Sequence, residues 1–145
     1  MQKCDEVMTK DPICLLPHEM VVEAARLMRN EDIGSILVIE NEQNKKLVGI
    51  VTDRDLTLKI IVEGLDASST NIETVMSHEV VTCHASDDLQ KALDAMAEHR
   101  LRRIPIVDAD NKVVGIIAQA DVATRIDQPE KTAEIVKKIS QANGT

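Results

Sequence analysis

Apolar residues recur at Val21, Ala24, Ala25, Leu27 and Met28, and again at Leu89, Ala92, Leu93 and Met96. Three- and four-residue spacing is that of a helix with one buried face, and it predicts a helix over residues 20–31 and a second one from Leu89 onward. Each is followed by two short β-branched runs separated by a polar turn, "SILVI" then "LVGIV", and "RIPIVD" then "VVGII". Such runs suit buried strands, with Pro105 predicting an edge position or a strand start for its run. Ahead of each helix lies a short extended stretch, Ile13–Leu16 or Val80–Cys83. Pro17-His18-Glu19 and Ser86-Asp87-Asp88 then offer turn and N-cap chemistry. After the last strand, Thr52-Asp53 offers a cap to a helix "RDLTLKIIVE" ended by Gly64, and "ADVATRI" occupies the same place later.

The β-α-β-β-α order is therefore written twice. Met8 aligns with Met76 at an offset of 68, as do Val7 with Val75, Ala24 with Ala92 and Ile36 with Ile104. Gly49 and Gly115 are 66 apart, which places two extra residues of the first copy in the loop "NEQNKK". The reading is a first repeat over residues 1–64, a small polar linker at 65–70, a second repeat over 71–127 and a C-terminal helix over 128–145. That last segment carries Ile135, Val136 and Ile139 on one side, a stripe that either closes the core or faces another subunit.

Composition narrows the function classes. At 145 residues and 43% hydrophobic content the chain suffices for one compact domain or two halves sharing a core. No run approaches the roughly 20 apolar residues of a membrane span, and "MQKCDEVM" lacks signal-peptide features, so a soluble cytoplasmic protein with no membrane partner is expected. A net charge of −8 opposes nucleic-acid binding. Phe, Trp and Tyr are absent, so a planar ligand would be gripped by aliphatic side chains. Cys4, Cys14 and Cys83 form no paired motif and are expected as reduced, mostly buried thiols. No zinc-ligand spacing is present and no nucleophile stands beside a base, so neither a metal nor catalysis is expected.

The doubled pattern of "EVMT" or "TVMS", a helix, a strand, and then "GIVTDRD" or "GIIAQAD" resembles a tandem pair of CBS domains, a Bateman module, of the stand-alone bacterial type. The resemblance covers about Asp5 to Ile126. It implies an α+β fold in which two repeats pack through their sheets about a pseudo-twofold axis, leaving two clefts. It also implies binding of an adenosine-containing ligand (AMP, ADP, ATP or S-adenosylmethionine), no required cofactor, a homodimer, and an effector protein whose identity the resemblance does not give.

Carried over by position, one cleft takes Thr52 and Asp55, with Ser77 and Val81 contributed by the second copy; the other takes Asp121 with Thr9 and Ile13. The carboxylates would hold the ribose hydroxyls, a bidentate acceptance that an ionised carboxylate supports. Ile50 and Val81 would flank a purine by burial, while Arg103, ahead of Arg102, would meet phosphate. Ala118 stands where the first copy has Thr52, so the two clefts are expected to differ in affinity. The competing expectation is a ligand-free dimeric scaffold with vestigial clefts, favoured by the degenerate "GIIAQAD".

Overall fold

The computed structural model describes residues 2–125 and 136–139. Their contacts divide into two compact units. An inner unit runs Ile13–Val80, and a terminal unit joins the residues up to Pro12 with those from Val81 onward. Each unit thus contains material from both sequence copies. The chain begins with α1 (Cys4–Val7) and β1 (Thr9–Lys10), both in the terminal unit.

The inner unit then builds β2 (Cys14–Leu15), α2 (Val21–Glu31), β3 (Ser35–Ile39) and β4 (Leu47–Thr52). A short turn α3 (Asp53–Asp55) leads into a π-helical segment, Leu56–Ile61, and α4 (Ile72–Val75) closes the unit. Its sheet has the order β2-β3-β4, with β2 parallel and β4 antiparallel to β3. Ala24, Ile36, Val38, Val51, Ile72 and Val75 fill the space between this sheet and α2 and α4. All are aliphatic, and a fully buried Val or Ile contributes about 1.5–3 kcal/mol.

The terminal unit adds β5 (Cys83–His84), α5 (Leu89–His99), β6 (Arg103–Val107), β7 (Val113–Ala118) and α6 (Gln119–Arg125). Its sheet order is β1-β7-β6-β5. Pro105 is the third residue of β6, an inner strand, contrary to the edge or first position expected for it. The pairing explains the tolerance: β5 is only two residues long and meets β6 at Ile106 and Val107, beyond the proline. Residues 136–139 are helical, and Ile139 is buried in this unit's core, so at that residue the apolar stripe closes the core. Ile135 and the rest of the expected 128–145 helix lie outside the described residues. Among the described residues no helix is long and apolar enough to cross a membrane.

Both long helices start without a side-chain cap. Backbone carbonyls meet their first-turn N–H groups instead: Thr70 and Ala67 accept from Val21 and Val22, and Gln2 accepts from Leu89. Glu19 and Asp87, expected to serve the helix starts, accept from the N–H groups of Leu16 and His84. Gln2 and Thr70 are 68 residues apart, each two residues ahead of a short helix, α1 or α4, and each caps a long helix of its own unit.

Candidate functional site

In the inner unit, the strand-to-helix junction after β4 is a reciprocal capping box. Thr52 Oγ1 accepts the Asp55 N–H at 3.1 Å, and Asp55 Oδ2 accepts the Thr52 N–H at 3.0 Å. The other carboxylate oxygen, Oδ1, lies 3.2 Å from Lys59 Nζ, and the Asp55 side chain is 16% exposed. Asp53 and Arg54, between them, face solvent. A half-buried carboxylate oriented in this way keeps further lone pairs on both oxygens, and the Thr52 hydroxyl keeps a proton to donate.

One turn of backbone runs beside this junction. Ile50 and Ser77 exchange two hydrogen bonds, Ile50 N–H to Ser77 O at 2.9 Å and Ser77 N–H to Ile50 O at 2.8 Å. Gly49 admits this approach: a Cβ there would lie 2.8 Å from Met76 Sδ and 2.9 Å from the Ser77 carbonyl oxygen. Only a residue without a side chain fits. Ile50 and Ser77 are both half-buried.

The terminal unit repeats this geometry with different side chains. β1 pairs with β7, placing Thr9 opposite Ile116, and Gly115 faces Met8 Sδ and, at 2.9 Å from its would-be Cβ, the Thr9 carbonyl oxygen. Asp121 Oδ2 accepts the Ala118 N–H at 2.8 Å, as Asp55 does for Thr52. Where the Thr52 hydroxyl has no counterpart, the exposed Thr9 donates its hydroxyl to Asp121 Oδ1 at 3.3 Å. Arg103 opens β6 directly opposite Ala118, half-buried, and Arg102 is exposed with its carbonyl accepting from Gln119.

The candidate residues thus fall into two sets. Ile50, Thr52, Asp55 and Ser77 share the inner unit, and Thr9, Asp121 and Arg103 share the terminal unit. Ile13 is an exposed residue of the inner unit, and Val81 packs against the core of the terminal unit. Sequence reasoning passed over Lys59, whose spacing of four from Asp55 was the available signal, and the contact role of the two glycines. The thiols are held protonated: burial pushes Cys4 up to about 12 and Cys14 up to about 11, and raises Cys83 as well. Among the described residues no group of three His, Cys, Asp or Glu side chains is arranged to hold a metal ion.

Comparison with known proteins gives two matches to the CBS domain family model, at residues 4–61 and 72–128. The CBS domain-containing protein YhcV of Bacillus subtilis is 35% identical over 143 residues, covering 99% of each chain. Among solved structures, Hypoxic Response Protein I with two coordinated zinc ions is 29% identical with a TM-score of 0.75, over 86% of this chain and 99% of that one. The CBS domain pair of protein MJ0100, solved with 5'-methylthioadenosine and S-adenosyl-L-methionine, shares the fold at 24% identity and a TM-score of 0.69, over 84% of this chain and 93% of that one.

Proposed function

Starting from a chain that belongs to the CBS domain family, we propose that it is a small regulatory protein, without catalysis of its own, that binds an adenosine-containing ligand and relays occupancy to a partner protein. The observation that carries this reading is the half-buried Asp55 carboxylate beside the Thr52 hydroxyl, fixed by the capping box and bordered by the Ile50–Ser77 bridge. A vicinal ribose diol offers two O–H donors at the spacing of a carboxylate. The start of a helix beside it favours a negatively charged group. Asp121 with Thr9 forms the second, dissimilar position, where Arg103, paired with Ala118 in the strand register, would meet phosphate and Arg102 would add charge.

The two ligands held by the MJ0100 pair share an adenosine moiety, which supports the ligand class. A purine would be flanked by aliphatic side chains, Ile50 being the one that shares a unit with Asp55. The protein acts as a homodimer: Leu58, Ile61, Val62 and Leu65 are 44%, 73%, 69% and 44% exposed, an apolar surface that a second copy would cover. Occupancy reaches the effector only insofar as the ligand prefers one packing of the assembly over another.

Because the chain has no Phe, Trp or Tyr, absorbance near 260 nm in purified protein reports adenine directly. Melting followed by circular dichroism, with and without AMP, ADP, ATP or S-adenosylmethionine, tests the reading. At 100-fold excess over Kd a specific ligand adds about 2.7 kcal/mol of stability. The absence of a shift with all four at millimolar concentration refutes it. A ligand-free scaffold is the second reading, favoured by the mutual satisfaction of Thr52 and Asp55 as an ordinary cap, and it would leave dimerisation intact in the absence of any nucleotide.

A further inference from the structure

In the inner unit the head group of Lys59 meets the Asp55 carboxylate. Its Nζ is shared: 3.2 Å from Asp55 Oδ1 and donating at 2.8 Å to the carbonyl of Val75. Val75 is the last residue of α4, where helix carbonyls lack an intrahelical partner, and it lies two residues before Ser77. A single ammonium therefore ties the carboxylate to the segment that crosses Gly49. The terminal unit does this differently, with the neutral Thr9 hydroxyl on Asp121 Oδ1.

We propose that Lys59 is a positioning residue that sets discrimination between ribose and deoxyribose at the Asp55 position, an inference that rests on the adenosine-binding reading above. With Thr52 N–H on Oδ2 and Lys59 on Oδ1, the plane of the carboxylate is fixed before ligand arrives, and each oxygen retains a lone pair for one hydroxyl of a diol. Preorganisation of this kind lowers the ordering cost of binding. Remove Lys59, and the carboxylate is held at one oxygen only, free to turn about its terminal torsion, which is broad. Two-point acceptance of the diol weakens more than the remaining contacts do.

The test measures AMP and 2'-deoxy-AMP affinities by calorimetry in an Asp121→Ala background, so that the Asp55 position alone reports. The parent is expected to favour AMP by at least tenfold. Lys59→Met is expected to bind AMP about three- to tenfold more weakly, the added cost of ordering the carboxylate on binding, and to reduce the AMP to deoxy-AMP ratio to within about threefold of unity. Lys59→Arg, which keeps a cation able to reach both oxygen partners, is expected to restore the ratio to within about twofold of the parent. Cooperative unfolding of each variant by circular dichroism confirms the fold. Retention of the parental ratio in Lys59→Met overturns the role of Lys59 while leaving adenosine binding standing. A parent that binds both nucleotides equally, or neither, removes the diol reading and this inference with it.

Discussion

Replacing Gly49 by alanine puts a methyl carbon 2.8 Å from Met76 Sδ and 2.9 Å from the carbonyl oxygen of Ser77. Ordinary carbon contacts begin at about 3.5 Å, so both neighbours have to retreat by more than half an ångström. Met76 Sδ sits on a flexible side chain, although the residue is 7% exposed and packed into the core of its unit. The Ser77 oxygen belongs to the backbone and accepts the Ile50 N–H at 2.9 Å, so its retreat breaks the bridge. Overpacking of this kind costs about 1–3 kcal/mol, and loss of the two hydrogen bonds adds about 0.5–1.5 kcal/mol for each. A total loss of about 2–6 kcal/mol is expected, read as a lower urea midpoint followed by circular dichroism because the chain has no aromatic fluorophore. Hydrogen exchange at the Ile50 and Ser77 amides is expected to accelerate selectively in the variant. An unfolding free energy unchanged within about 0.5 kcal/mol, with both amides still protected, would refute the claim that glycine is there to admit the crossing segment.

Ala118→Thr restores the missing hydroxyl at the N-cap position of α6; it is expected to stabilise the protein by about 1 kcal/mol and to tighten the weaker AMP site, and an unchanged urea midpoint and affinity would count against the asymmetry argument. The thiols give a pH prediction. Burial raises Cys4 to about 12 and Cys14 to about 11 from an ordinary value of 9.0, so the protonated form is the one the fold prefers. Their contribution to stability is complete below pH 9.0 and is lost as pH rises toward 11 and beyond, so urea midpoints are expected to fall over that window. In the native state at pH 8 the thiols are expected to react with a disulfide reagent far more slowly than in urea. Equal rates would contradict the burial argument.

Periodicity made the core of each repeat legible: the apolar stripe of α2 and the burial of Ile36 and Val51 follow from spacing alone. The same holds for Thr52 as a helix cap, because a capping box is a local pattern of four residues, whereas Asp55 stood out only through the resemblance. What escaped was non-local. Thr70 capping α2 and Gln2 capping α5 are backbone contacts that carry no side-chain signature, the latter spanning 87 positions. The helix expected over "RDLTLKIIVE" winds as a π-helix over Leu56–Ile61, after Asp55, a change of winding that the three- and four-residue apolar spacing does not signal. Thr9 reaching Asp121 depends on β1 lying against β7, a pairing that no local pattern of two residues can announce.

Titration calorimetry of AMP into the protein and into its Asp55→Asn variant bears most directly on the central claim. Asparagine keeps the size of the side chain but removes one acceptor oxygen and the charge, so the affinity at that position is expected to fall by about ten- to a hundredfold. Equal affinities in the two proteins, at both positions, would contradict the assignment of the Asp55 carboxylate as the group that holds the ribose.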